Sequence, residues 1–196
     1  MADLYGASDQ LAPAVPRGLG TALAGGKGML STTPREAHDF YPTPPDVTRA
    51  LLERCSMPLT LAGPAIWEPC GRGGAILRVL SAAGFPVVGS DIVGDVDNGV
   101  QALDLLTAKR RKANVVVTNP PFALAAAMIE HLLGRLGVRY MALLLKSTFW
   151  HAKERNGLWR RHRPSRILAL DWRPDFLGKG APTMDVIWCV WDARCF

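Results

Sequence analysis

Asn119-Pro120-Pro121-Phe122 puts an amide, a proline carbonyl and an aromatic ring directly after the run Asn114-Val115-Val116-Val117-Thr118. The run is predicted as a buried strand. Two prolines straight after it deny the chain both helix and ladder pairing, so it turns there in a rigid, extended form. Such a turn sits at the carboxyl end of a strand, where ligands bind in open α/β sheets. The three groups suit one kind of chemistry. An arylamine is a poor nucleophile because its lone pair is delocalised into the ring. The Asn119 side-chain oxygen and the Pro120 carbonyl can each accept one N–H of the amine, while the Phe122 ring stacks on the attached plane. As the nitrogen turns tetrahedral, those bonds keep its lone pair aimed at a methyl donor.

A second set of residues suits a nucleoside-bearing cofactor. Glu68-Pro69-Cys70-Gly71-Arg72-Gly73-Gly74 lies between a predicted strand and its helix, and its glycines let the backbone pass close under a ligand. Asp91 ends the next strand, where a carboxylate can accept both hydroxyls of a ribose. Asp104 comes near the third strand position, where a side chain could take an adenine amino group. Upstream, Tyr41-Pro42-Thr43-Pro44 precedes the first helix and offers a hydroxyl and a turn backbone to the cofactor's far end.

The elements that must position these groups alternate from Asp39 onward, the signature of a parallel sheet covered on both faces. A helix is predicted from Pro45 to Cys55 and a strand at Ala65–Trp67. A helix over 74–83 and a strand over 87–90 follow. The stretch around Asp104 reads as a short helix or a loop. A strand over 114–118, a helix over 123–136 and a strand over 140–145 come next. A basic helix over 152–162 precedes strands over 166–171 and 186–191, joined as a hairpin. Residues 1–38, rich in Gly, Ala and Pro, read as a flexible arm ahead of a domain over 39–196.

Composition narrows the class. The chain has 196 residues and a formal net charge of +6, which points to an acidic partner such as nucleic acid. The cysteines Cys55, Cys70, Cys189 and Cys195 lack CxxC spacing, consistent with reduced thiols in a cytoplasmic protein. There is no apolar run long enough to span a membrane and no basic-then-apolar leader pattern. Neither a metal-ligand set nor a Ser/His/Asp order is apparent.

Taken in order, Asp39-Phe40-Tyr41-Pro42-Thr43-Pro44, Glu68-Pro69-Cys70, Gly89-Ser90-Asp91-Ile92, Asn119-Pro120-Pro121-Phe122 and Trp188-Cys189-Val190-Trp191-Asp192 resemble phage-type adenine-N6 DNA methyltransferases. The resemblance implies a Rossmann-like class I fold with a mostly parallel seven-stranded sheet and a C-terminal antiparallel hairpin. It implies S-adenosylmethionine as cofactor, held by Tyr41, Thr43, Glu68, Pro69, Cys70, Gly71, Gly73, Asp91, Ile92, Asp104 and Asn119. It implies catalysis by Asn119, Pro120, Pro121 and Phe122, in the cytoplasm of a bacterial or phage-infected cell. DNA is the implied partner, with RNA, a protein glutamine, or a catalytically weak binding role as alternatives. Lys146, Ser147 and Trp150 would shape the base pocket, and Lys153, Arg155, Arg160 and Arg161 would contact phosphates beside it. Two departures stand out. Arg72 occupies a position where the family has glycine, and between Trp150 and Thr183 there is no room for a separate target-recognition domain.

Overall fold

A computed structural model describes residues 41–180, 182 and 184–195. The arm expected over 1–38 lies outside the described residues, as do Asp39 and Phe40. The seven strands are β1 (Ile66–Glu68), β2 (Val87–Asp91), β3 (Val100–Ala102), β4 (Val115–Thr118), β5 (Tyr140–Lys146), β6 (Arg166–Ala169) and β7 (Val186–Asp192). They form one sheet in the order β3-β2-β1-β4-β5-β7-β6. Neighbouring pairs from β3 to β5 are parallel; β7 runs antiparallel to both β5 and β6. The predicted hairpin therefore forms, with β7 inserted between β5 and β6.

The helices are α1 (Pro45–Ala62), α2 (Ala75–Ala82), α3 (Ala125–Ile129) and α4 (Asn156–Arg161). They cover both faces of the sheet, and the strand sequences show why. Along β5, Tyr140, Ala142 and Leu144 join one buried cluster with Val47, Leu51, Cys55 and Leu59 of α1 and Ile76 and Leu80 of α2. Met141, Leu143 and Leu145 join the other, with Met128 and Ile129 of α3 and Leu158 of α4. Alternation still operates, but both sets are apolar, so the strand reads as a continuous hydrophobic run.

Several boundaries differ from the sequence expectation. α1 runs past Cys55 to Ala62 and contains Pro58. Its buried stripe Val47, Leu51, Cys55 and Leu59 recurs every four residues on both sides of the proline, and that packing outweighs the hydrogen bond Pro58 cannot donate. β3 was not legible as a strand because it is three residues long and only Val100 is buried. The helix expected over 123–136 is α3 followed by a wider π-helical turn, Glu130–Arg135, in which buried His131 donates to the Ala108 carbonyl at 3.0 Å. The helix expected over 152–162 splits into a 3-10 turn at Lys153–Arg155 and the short α4. β6 stops at Ala169 rather than Asp171.

Trp188 ties the antiparallel half of the sheet to α1. Its ring is fully buried and its Nε1 donates to the Val47 carbonyl at 2.9 Å. Trp188→Ala is expected to lower unfolding free energy by about 3–5 kcal/mol, the usual cost of a large aromatic truncation. Urea titration of wild type and variant measures this; a loss below 1 kcal/mol would contradict the packing role.

Candidate active site

β1 and β4 lie side by side, so the loops that leave their carboxyl ends adjoin. The Asn119 turn leaves β4, which is buried along its whole length. Pro120 is buried and Asn119, Pro121 and Phe122 are half-buried. The Asn119 side-chain amide is oriented by the segment before α1. Its Nδ2 donates to the Tyr41 carbonyl at 3.4 Å and to the Thr43 hydroxyl at 3.2 Å. A carbonyl only accepts, so the nitrogen must face Tyr41 and the oxygen is turned away. Among the described residues Oδ1 has no donor of its own. The amide thus presents an acceptor, as capture of an amine requires. Thr43, expected at the cofactor, is 4% exposed and its hydroxyl accepts from Asn119.

Phe122 packs against the α1-side cluster. Lys146 Nζ lies 4.8 Å from its ring centroid. The carboxyl end of β5 therefore delivers a cation to the ring expected to stack on the acceptor. Ser147, next to it, donates its backbone N–H to the Asp185 carbonyl at 3.0 Å. The β6–β7 loop reaches this side too. Asp175 lines a groove of about 710 Å³ with Thr43, Pro44 and Arg49, and Arg173 grips Asp185 through two contacts of 2.6 and 3.2 Å.

The glycine loop is a 3-10 turn, Arg72–Gly74, feeding α2. Its left-handed positions are Gly73 (φ 74°) and Gly74 (φ 63°). A Cβ on Gly74 would meet Asn98 Oδ1 at 2.8 Å and Arg78 Nη1 at 2.9 Å. Gly71 is buried, donates to the Ser90 carbonyl at 2.9 Å, and would carry a Cβ 3.3 Å from the Glu68 carbonyl. The positions that need glycine thus have it, and the departure at Arg72 falls between them. The Arg72 backbone N–H donates to Asp91 Oδ2 at 3.3 Å. Asp91 Oδ1 accepts from Val93 N at 3.0 Å. The carboxylate expected for a ribose thus also braces the glycine loop, with Ile92 beside it 59% exposed. Asp104 caps the turn Leu105–Thr107, accepting from Leu106 N at 2.9 Å.

Sequence reading missed three supporting residues. Asp95 accepts from Gly73 N at 2.8 Å and from Asn98 Nδ2 at 2.8 Å. Those donors, the Gly73 amide first, hold its carboxyl below the usual carboxylate range. Arg78 donates to the Gly73 carbonyl at 2.7 Å. The signal was the turn Asp95-Val96-Asp97-Asn98-Gly99, whose residue types favour tight side-chain-to-backbone bonding.

Two groups beneath the loops are under-satisfied. Among the described residues, the buried Oε2 of Glu68 and Oγ1 of Thr118 have no hydrogen-bond partner. Burial raises the Glu68 carboxyl well above its ordinary range. Burial likewise pushes the Cys70 thiol, beside Thr118, up to about 12, so it stays protonated and poorly nucleophilic at neutral pH. Pro69 is buried below them.

The basic segment is not where the sequence suggested. Tyr140 pairs with Asp192 at the start of β5, and Lys146 with Val186 at its end. Trp191, Asp192 and Ala193 therefore mark the amino edge of the sheet, and Arg160, Arg161, His162 and Arg163 line a groove with them. The Asn119 turn is at the opposite, carboxyl edge. The chain crosses the sheet between Thr148 and His162, which carries these arginines away from the site. Arg161 pairs with Glu130 at 3.1 Å. Arg155 stacks on Phe149 at 4.2 Å and donates to its carbonyl. Trp150 packs edge-on against Phe149 and Trp159 and donates to Cys189 Sγ at 3.3 Å, so it is a core contact. Lys153 is exposed near the start of the crossing.

Among the described residues no helix is long and apolar enough to cross a membrane, and no cluster of three or more His, Cys, Asp or Glu is placed to hold a metal ion. No family model and no curated protein matches the chain. Solved structures do match. A Pyrococcus horikoshii protein provisionally described as an RNA methyltransferase superposes with a TM-score of 0.63 at 17% identity, covering 88% of this chain and 94% of that one. The 23S rRNA methyltransferase ErmE gives 0.54 at 16% identity, covering 78% and 70%. The magnesium protoporphyrin IX methyltransferase of Synechocystis PCC 6803, solved with SAM bound, gives 0.53 at 18%, covering 76% and 79%. The chain has the Rossmann-like fold of class I methyltransferases.

The raised Glu68 carboxyl makes stability depend on pH. Below the ordinary value of 4.5 the group is protonated in both states; as pH rises, the unfolded chain loses the proton first and the native state falls behind. Glu68→Gln is therefore expected to raise the melting temperature of the ligand-free protein more at pH 8 than at pH 5. Calorimetric scans across that range check it. A difference independent of pH would contradict the upward shift of the Glu68 carboxyl.

Proposed function

We propose that this chain transfers a methyl group from S-adenosylmethionine to the exocyclic amino nitrogen of an adenine in DNA. The single observation that carries the reading is the Asn119 amide, fixed by Tyr41 and Thr43 with its oxygen turned out as an acceptor. The fold supports a methyl donor of this kind, since structures that share it include one solved with SAM. The residues fit the group: Gly73 and Gly74 supply the left-handed turns that let the loop backbone pass close under a ligand, and the buried Glu68 Oε2 and Thr118 Oγ1 at the ends of β1 and β4 hold unspent hydrogen-bonding capacity. Asp91 and Ile92 would flank the ribose, Asp104 the adenine end. When bound, the cofactor supplies an electrophilic methyl group on a sulfonium.

The rest is work for the chain's own side chains. Asn119 Oδ1 and the Pro120 carbonyl accept the two amino hydrogens, so the nitrogen keeps its lone pair directed along the transfer line. Phe122 holds the base plane, with Lys146 at the ring. The base must leave its duplex to reach this turn, at a cost of a few kcal/mol. The proton leaves after transfer, so the site needs no strong base; burial raises the Glu68 carboxyl well above its ordinary range and the Cys70 thiol up to about 12.

RNA is the second reading. The names of two matched structures, both RNA methyltransferases, favour it, and a single-stranded or looped acceptor avoids the cost of flipping. Tritium-methyl transfer to DNA, RNA and total protein decides between acceptors, and label on none of them would overturn the reading. Asn119→Ala is expected to leave cofactor affinity in calorimetry unchanged while slowing single-turnover transfer about 100- to 1,000-fold, the usual effect of losing one preorganised group.

Thr43→Val, which keeps the shape and removes the hydroxyl, is expected to slow transfer about tenfold, the worth of one hydrogen bond. Thr43→Ser should restore the rate. If valine matches wild type, Thr43 does not orient the amide.

A further inference from the structure

Among the described residues, three exposed arginines gather at the amino edge of the sheet. A groove of about 570 Å³ opens there among the π-helical turn, the start of β5, the end of β7 and α4. Its charges can be accounted for one at a time. Glu130 is taken by Arg161 at 3.1 Å and His162 at 3.5 Å. Asp192 is taken by Arg194 at 2.7 Å. Arg139, Arg160 and Arg163 then remain, all exposed and, among the described residues, without an acceptor. Their backbone supports are rigid. Arg139 N donates to the Asn114 carbonyl and its own carbonyl accepts from Ala193 N, each at 2.9 Å. The end of α4 is pinned where Trp191 Nε1 donates to the His162 carbonyl at 2.9 Å. The half-buried Trp159 indole forms an apolar wall of the same groove.

We infer that this groove is a second binding surface, which takes a single nucleic-acid strand and is separate from the methyl-transfer site. Guanidinium forks match phosphate oxygens, and an indole wall gives a base something to stack on. Three unpaired guanidiniums beside an aromatic wall fit a repeating phosphate with planar bases attached better than an acidic peptide. The groove cannot hold the nucleotide that reacts at Asn119. β5 separates the two edges, and its seven residues span about 20 Å at roughly 3.3 Å each. That is about six nucleotide steps at 3.4 Å per step. The surface thus grips a distant part of a polymer, and does so whether or not that polymer is the methyl acceptor.

The test is fluorescence anisotropy of a labelled 20-nucleotide mixed-sequence single strand with the full chain, without methyl donor, over a range of salt. The triple variant Arg139→Gln, Arg160→Gln, Arg163→Gln is expected to bind about 10- to 100-fold more weakly at moderate salt. Its log–log salt slope should fall by about 2, from roughly 0.7 per lost phosphate contact. Lys146→Gln, at the other edge, should change the slope by less than 1. Calorimetry with S-adenosylmethionine should give wild-type affinity for the triple variant. Ultraviolet cross-linking of the strand to wild-type protein should mark peptides containing Trp159 to Arg163, a readout that needs no variant to fold. Several results would overturn the inference: no binding of the strand, an unchanged slope in the triple variant, cross-links confined to the peptide around Lys146, or equal competition by polyglutamate or by adenosine monophosphate. Failure of methyl transfer would leave it untouched, because binding is read without the donor.

Discussion

A strand buried on both faces cannot slip, and β4 is such a strand. Shifting Val115–Thr118 by one residue would exchange the side chains packed under α1 for those packed under α3. The two prolines that follow transmit that fixed register to Asn119, because they remove the freedom a loop would otherwise have. Everything at the site refers back to this point. The segment before α1 comes to it through the Tyr41 and Thr43 contacts, and α1 is held by the Trp188 bond to Val47. One amide is thus located by three parts of the chain far apart in sequence.

The glycine loop is held differently. Its left-handed residues would cost about 1–2 kcal/mol each with a side chain, and its shape is kept by Asp91, Asp95 and Arg78 bonding its backbone. Beneath it the structure is less well satisfied. Among the described residues, the buried Glu68 Oε2 and Thr118 Oγ1 have no hydrogen-bond partner. Buried polar groups left unpaired are costly. On the proposed reading, a ligand in the loop supplies partners for these groups, and the loop backbone is already held by Asp91, Asp95 and Arg78.

Much of this was legible in the sequence because the strongest signals were local. Pro-Pro after an apolar run fixes a turn wherever it occurs, and a Gly-rich stretch between strand and helix fixes another. The general place of Asn119 at the end of a strand followed from the first; the antiparallel return of β7 was expected as a hairpin, and from the family resemblance, while the strand order was not read. What was not legible depended on contacts across the sheet. β3 is too short to show a period. The bond from Asn119 to Thr43 could not be read from spacing, because the two lie 76 residues apart. Trp150 was expected to shape the base pocket because it follows β5, yet it packs edge-on against Phe149 and Trp159. The basic helix was placed beside the site because it follows β5 in the chain. Its direction, down across the sheet, is set by packing of Leu158 and Arg155 that spacing does not reveal.

That direction changes how charge relates to chemistry in this molecule. A rim of arginines around the Asn119 turn would bind phosphates and present the base in one act. Here, among the described residues, the turn is bordered by Lys146, by exposed Arg49 beside Thr43 and by acids that are mostly engaged with backbone or with Arg173, while three exposed guanidiniums gather at the opposite edge. Electrostatic attraction falls off within about 10 Å at ordinary salt, so the amino-edge arginines add little to the potential felt at Asn119. On the proposed reading, two tasks usually combined on one surface are then largely divided. The carboxyl edge must recognise its acceptor by shape, stacking and a pair of hydrogen bonds, which are short-ranged and selective. Long-range attraction of a polyanion is left to the other edge, where it can raise local concentration without blurring the choice of base.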